Sequence, residues 1–166
     1  VAEDTLYIDE IVGKMSLSDS TGCSPKQVVF QSQAGQRTDI FDWRINGNQV
    51  STNELDSVQL VAGNYEVRLF VASTQSVCSD SVADSIVVFG LPKVSAWPDT
   101  TICEGDTLAL NATGASYYGW TPVEHLVNDS GSQVSAFPKQ AVVYQVVGSD
   151  SNQCMDTAEV SVKLIN

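Results

Sequence analysis

An internal repeat of about 80 residues limits what this chain can fold into. The segments Asp4-Thr5-Leu6 and Asp84-Ser85-Ile86 are displaced by 80 positions, and the same displacement relates Asp19-Ser20-Thr21 to Asp99-Thr100-Thr101. A third copy of the opening begins at Asp156-Thr157-Ala158. This period is too long for a solenoid and matches one small domain. We therefore predict two tandem domains, residues 1–90 and 91–166. Residues 1–11 are either the last strand of a preceding repeat or the first strand of this domain.

The cysteines indicate an oxidising compartment. Each predicted domain lies near the lower size limit for a self-sufficient core, and the chain has four cysteines, two per repeat. An even number of cysteines in small domains is typical of disulfides in secreted or cell-surface proteins. We predict the pairs Cys23–Cys78 and Cys103–Cys154, each stapling two loops at one end of its domain. The matched placement disfavours the alternative, four buried thiols in a cytosolic protein.

The charge distribution excludes two classes of partner. The formal net charge is -12, from 20 acidic and 8 basic residues, and the basic residues are scattered singly. Such a chain offers no basic stripe for nucleic acid or for anionic lipid. No run of about 18 apolar residues is present either, so no segment is predicted to insert into a membrane.

Short alternating segments predict an all-β fold. No window shows sustained helical periodicity, and turn signals recur every 8 to 12 residues, roughly as in β-sandwiches. We predict two antiparallel sandwiches of the immunoglobulin-like type, with residues 19–25 as turns. The predicted strands are 4–11, 27–31, 40–45, 58–61, 65–71, 85–89, 107–111, 116–120, 133–137, 141–147 and 157–164.

The same residues carry a resemblance to a known module. The first repeat resembles PKD domains of the polycystin type through Cys23-Ser24-Pro25, Phe41-Asp42-Trp43 and Gly63-Asn64-Tyr65, although Asn46-Gly47-Asn48 replaces the family's glycine-aspartate-glycine turn. The second repeat is similar to PKD-like modules, mainly through residues 102–106, 114–122 and 144–154. Such modules occur in tandem in large Bacteroidetes surface proteins exported by type IX secretion, including gliding adhesins. The resemblance covers nearly the whole chain and identifies the type of module, which occurs in many different parent proteins.

The sequence offers few residues in the patterns that catalysis or metal binding requires. His125 is the single histidine, and no serine or cysteine nucleophile motif surrounds it, so we predict no enzyme and no cofactor. Glu104 with Asp106, and Asp150 with Asn152, could supply oxygen ligands, but neither cluster has the calcium-loop pattern. We interpret them as solvated turn residues.

Two further patterns have a structural and a functional interpretation. Alternation places Tyr118 and Trp120 on one face of a strand and Tyr117 on the other, which favours core packing over a sugar-binding platform. Asp followed by Ser or Thr resembles the O-glycosylation signal of secreted Bacteroidetes proteins, but it also starts turns for local hydrogen-bonding reasons. The candidate acceptors are Thr5, Ser20, Ser57, Ser81, Ser85, Thr100, Thr107 and Thr157.

Together these features predict extracellular structural or adhesive repeat modules of a large surface adhesin or filament protein. The expected partners are neighbouring repeats of the parent protein, surface polysaccharide or another surface protein. The alternative is an accessory carbohydrate-binding or spacer region of a secreted polysaccharide-degrading enzyme.

Overall fold

The computed structural model describes residues 11–35 and 38–165. These residues form two compact units, the first ending at Phe89 and the second beginning at Gly90. Apart from Ile11, the strand predicted over residues 4–11 lies outside the described residues. All regular elements of the described residues are strands, which confirms the all-β class. In chain order they are β1 (Met15–Leu17), β2 (Thr21–Cys23), β3 (Lys26–Ser32), β4 (Ile40–Ile45), β5 (Asn48–Ser51), β6 (Leu55–Leu60), β7 (Gly63–Ala72), β8 (Ser79–Phe89), β9 (Ser95–Trp97), β10 (Thr100–Cys103), β11 (Leu108–Thr113), β12 (Tyr117–Thr121), β13 (Gln133–Ala136), β14 (Val142–Ser149) and β15 (Met155–Ile165).

The first unit contains a three-stranded sheet, in the order β1-β3-β6, and a five-stranded sheet, in the order β2-β8-β7-β4-β5. Strand β7 shows why they bury a common core. Its Val67, Leu69 and Val71 are buried while the residues between them are exposed, as the two-residue period of a strand requires. They join Trp43 and Phe30 in one apolar cluster. Full burial of each such side chain contributes about 1.5–3 kcal/mol.

The second unit contains a three-stranded sheet, in the order β13-β11-β9, and a four-stranded sheet, in the order β10-β15-β14-β12. Its core follows the same rule. Leu110 and Ala112 face inward from β11, and they pack with Trp120, Tyr144 and other buried residues. Each unit is therefore organised around one tryptophan.

The pairing of the closing strands differs from the predicted antiparallel arrangement. β2 runs parallel to β8, with Cys23 opposite Phe89, and β10 runs parallel to β15, with Cys103 opposite Ile165. Residues 19–25, predicted as turns, thus contain a three-residue strand that pairs with the last strand of its unit. A strand this short shows no alternation that a sequence pattern could detect.

The structure also changes the alignment of the repeat. Cys23 lies opposite the last residue of β8, and Cys103 lies opposite the last residue of β15. Cys78 and Cys154 immediately precede the first residues of the same two strands. Asp156-Thr157-Ala158 therefore corresponds to Asp80-Ser81-Val82, rather than to Asp84-Ser85-Ile86 as the sequence suggested. The short motif occurs twice within β8, so sequence identity selected the wrong copy.

One predicted turn is confirmed in detail. Asn46 and Gly47 join β4 to β5, with φ angles of 49° and 82°. Positive φ at both central positions is the geometry of the tight hairpin turn for which Asn-Gly is the strongest short-range signal. The Asn46 side chain also accepts a hydrogen bond from the Glu66 backbone N–H at 2.9 Å.

Candidate functional site

Each unit contains a buried tryptophan whose indole N–H donates to a backbone carbonyl, an arrangement that we call the tryptophan lock. The Trp43 indole nitrogen donates to the Asn53 carbonyl at 2.9 Å, and the Trp120 indole nitrogen donates to the Gly131 carbonyl at 3.0 Å. Both indole rings are buried, and a buried N–H requires a hydrogen-bond partner. These two carbonyl groups supply it. The prediction that Trp120 packs in the core is confirmed. These tryptophans are structural and unavailable to a ligand.

The cysteines do not pair as predicted. Cys23 and Cys154 are disulfide-bonded, whereas Cys103 is an exposed free thiol, so Cys154 is not bonded to Cys103. The parallel strands explain this result. Cys23 lies beside the last residue of β8, whereas Cys78 precedes its first residue. An 11-residue strand separates them by about 30 Å, and a disulfide requires Cα atoms within about 7 Å.

The same geometry applies in the second unit. Cys103 lies opposite Ile165, at the end of β15, while Cys154 immediately precedes Met155, at its start. Neither unit can therefore close the predicted loop between its own two cysteines. The prediction placed both cysteines of a repeat at one end of the sandwich, and they lie at opposite ends.

The Asp-Ser motifs have a local structural role. Asp56, Asp80 and Asp84 each accept a hydrogen bond from the backbone N–H of the serine that follows, at 2.7–2.8 Å. All three pairs lie within strands β6 and β8, so the aspartate bonds the backbone of its neighbour inside a strand and not in a turn. Glycosylation stays a prediction: Thr5 lies outside the described residues, Thr100 is half-buried, and the exposed candidates are Ser20, Ser57, Ser81, Ser85, Thr107 and Thr157.

Hydrogen bonds favour the charged form of several carboxylates in the first unit. The backbone N–H groups of Gly13 and Ser81, at 2.8 and 2.7 Å, lower the pKa of Asp80. The Ser51 hydroxyl, at 2.7 Å, is the main cause of the lowered pKa of Asp56. These bonds stabilise loops and the starts of strands in the first unit.

The residues considered for metal binding or catalysis are dispersed. Among the described residues, no group of three or more histidine, cysteine or acidic side chains is placed to hold a metal ion. Asp150 instead accepts hydrogen bonds from the backbone N–H groups of Asn152 and Cys154, at 2.8 and 2.9 Å. His125 lies in a turn with its ring 5.7 Å from that of Phe137. No helix of the described residues is long and apolar enough to cross a membrane.

A groove of about 840 Å³ in the second unit is a candidate binding site. Trp97, Asn111 and Gln133 form a row across the outer face of the sheet β13-β11-β9, since Asn111 lies opposite both Trp97 and Gln133. Tyr117, at the start of β12, contributes a second aromatic ring. Trp97 and Tyr117 are 45% and 68% exposed. The sequence pattern separated Tyr117 from the core correctly but did not associate it with Trp97.

The chain is similar to several solved structures. The chain is similar to the insect immune protein hemolin, with a TM-score of 0.53, 14% identity, and coverage of 98% of this chain and 49% of hemolin. It thus spans about half the length of hemolin. It is also similar to a fragment of three immunoglobulin domains of titin (I67–I69, E-to-A variant), with a TM-score of 0.49, 7% identity, and coverage of 95% of this chain and 66% of the fragment. DIP-gamma IG1+IG2 gives a TM-score of 0.45 at 11% identity and covers 95% of this chain and 99% of its own.

The likeness to hemolin shows an immunoglobulin-like fold and carries no function. No protein-family model matches the sequence, and no curated protein matches it.

Proposed function

We propose that this chain consists of two tandem PKD-type domains, residues 1–90 and 91–166, that serve as non-catalytic repeat modules of a large extracellular adhesin or filament protein. The observation that carries this proposal is the duplicated unit. The tryptophan lock, the parallel closing strands and the placement of the cysteines recur with different surface residues. Repetition of a framework with a variable surface suits modules that build a filament and present binding sites along it.

The disulfide-bonded Cys23 and Cys154 support an extracellular location, since such bonds persist in oxidising environments. The resemblance to PKD modules supports a parent protein exported by type IX secretion in Bacteroidetes, with gliding adhesins as the closest functional model. The expected partners are neighbouring repeats, surface polysaccharide and other surface proteins. A net charge of -12 disfavours nucleic acid as a partner.

Monovalent Fab fragments raised against the 166-residue chain test the adhesive function. Source cells incubated with these fragments should attach less to their natural substratum, because the fragments cover the binding surfaces of the modules. Fab fragments against an unrelated protein of the same cell surface are the control. Unchanged attachment under saturating surface binding of the specific fragments would contradict an adhesive role.

The groove favours a second candidate function, an accessory carbohydrate-binding region of a secreted polysaccharide-degrading enzyme. Both candidates are non-catalytic, and they differ in where the parent protein resides. An adhesin stays on the cell, whereas an enzyme module accompanies its catalytic domain to the polysaccharide.

A further inference from the structure

Internal hydrogen bonds hold the backbone around the groove beside Trp97 in place. The Tyr118 hydroxyl accepts a hydrogen bond from the Ala115 N–H at 2.8 Å and donates to the Ala115 carbonyl at 2.7 Å, which fixes the turn between β11 and β12. Gly131 also lines the groove; its carbonyl oxygen accepts a hydrogen bond from the Trp120 indole N–H, and its own N–H donates to the Tyr118 carbonyl at 3.2 Å. A preformed groove loses little conformational entropy when a ligand binds.

Two amide side chains of the groove are bonded to each other. Gln133 donates one amide N–H to the Asn111 side-chain oxygen at 2.9 Å, which fixes both side chains on the outer face of the sheet. This bond leaves the second N–H and the carbonyl oxygen of the Gln133 amide for other partners. Such a pair of donor and acceptor matches a hydroxyl-rich ligand.

The groove is electrically neutral on a strongly acidic chain. None of the described residues that line it is charged, although the chain carries 20 acidic residues. A neutral lining gives no counter-charge for an ionic ligand, and the net charge of -12 repels anions. The two exposed aromatic rings and the pair of amide side chains therefore determine which class of ligand the groove can bind.

This combination is specific to the second unit. In the first unit, the exposed outer positions of β3 and β6 in the three-stranded sheet are Gln27, Val29, Gln31, Leu55, Ser57 and Gln59. They include amides but no aromatic ring. Since the two frameworks match, the groove reflects a difference in surface residues and is not required by the fold.

We propose that the groove binds a neutral polysaccharide chain, with Trp97 and Tyr117 stacking on the apolar faces of pyranose rings and Gln133 and Asn111 bonding to their hydroxyl groups. Pyranose rings present C–H groups on their faces and hydroxyl groups around their edges, which corresponds to these two kinds of lining residue. This proposal rests on the adhesive function proposed above and specifies the class of ligand that the adhesive module would bind.

Nuclear magnetic resonance of the full 166-residue chain tests this site. The chain has three tryptophans, and two of their indole N–H groups are bonded inside the units, so the Trp97 indole signal is the direct probe. Trp97→Phe assigns that signal by removing it. The probes are cellohexaose, laminarihexaose, xylohexaose and mannohexaose, with hexagalacturonate as the acidic control.

We expect at least one neutral hexasaccharide to shift the Trp97 indole signal and amides of β11–β13 while leaving the first unit unchanged. Tyr117→Ala and Trp97→Ala should each weaken binding by about tenfold or more, as expected for an aromatic anchor. Phe137→Ala is the matched control, because Phe137 is an aromatic residue of the same unit, is 40% exposed and lies outside the groove. It should leave the affinity within about twofold.

Three results would overturn the site: no shift with any neutral probe at millimolar concentration, equal binding of hexagalacturonate, or affinity unchanged in Tyr117→Ala. Retained signal dispersion in each variant shows that it is folded. Failure of the site is distinguishable from failure of the adhesive function. Fab fragments that still block attachment would then locate adhesion on another surface, whereas sugar binding without any effect of the fragments would keep the site and remove the adhesive role.

Discussion

Replacing Tyr144 with phenylalanine should stabilise the second unit. Tyr144 is fully buried on β14, and its hydroxyl has no hydrogen-bond partner among the described residues. A buried hydroxyl without a partner costs roughly 1–3 kcal/mol. Removing one oxygen also removes a few packing contacts, which offsets part of the gain. We expect Tyr144→Phe to raise the free energy of unfolding by about 1 kcal/mol, or the Tm by about 4–8 °C for a domain of this size.

Calorimetry measures the change, and hydrogen exchange of β14 amides assigns it to the second unit. The matched control is Tyr118→Phe, because the Tyr118 hydroxyl makes two hydrogen bonds to Ala115. That variant should lose about 1 kcal/mol or more. A Tyr144→Phe protein that is destabilised as much as Tyr118→Phe would refute the reasoning, since it would mean that the Tyr144 hydroxyl is bonded.

The same residue gives an alkaline signature. Burial raises the pKa of Tyr144, so the folded unit keeps the proton at a pH where the unfolded chain, with a tyrosine pKa near 10, has released it. Unfolding then releases a proton, and stability falls as the pH rises above about 10. The advantage of Tyr144→Phe over the wild type should therefore widen above this pH. A constant difference from pH 7 to 11 would contradict the burial of an unbonded hydroxyl.

Three other perturbations have defined outcomes. Gly114→Ala should prevent stable folding of the second unit, because the added Cβ would lie 1.7 Å from the Lys93 carbonyl oxygen at a φ of +96°. The control Gly105→Ala has a similar φ of +91° but places its Cβ in open space, so it should lower the Tm only modestly. Equal melting curves for the two variants would contradict this. Alkylation in denaturant without reductant should label Cys103 and leave Cys154 unlabelled, and mass spectrometry of a Cys103–Cys154 peptide would contradict the strand register. Hydrogen bonds lower the pKa of Asp80, so its stabilising effect is present above about pH 4 and is lost as the pH falls through the lowered pKa. Asp80→Asn should therefore reduce the free energy of unfolding more at pH 7 than at pH 2, and an equal reduction at both would contradict this.

Most of the longer strands and the burial of Trp120 could be predicted from sequence, because alternating apolar residues recur over several positions. Of β8, only residues 85–89 were predicted. Strand β4 was predicted at its observed bounds, and β7 within two residues at the start and one at the end. Strands β2 and β10 have three and four residues, too few for a period to show. Missing them placed Cys23 and Cys103 at the wrong end of each unit and produced the wrong disulfide pairs.

The groove was beyond reach of local patterns for a different reason. The register of three paired strands brings Trp97, Asn111 and Gln133 together, whereas Tyr117 lies on a strand of the other sheet. Their association therefore depends on register and on how the two sheets pack, and local sequence patterns show neither. The alternation in β12 identified Tyr117 as outward-facing. Only the fold shows that a second exposed aromatic ring lines the same groove.

Immunogold labelling of intact source cells, with an antibody raised against the 166-residue chain, tests most directly whether these modules belong to a surface adhesin or filament. The account predicts gold particles on the cell surface, in patches or along threads that remain attached to cells. Label confined to shed material on polysaccharide, with bare cells, would contradict it and would support the enzyme-associated module instead.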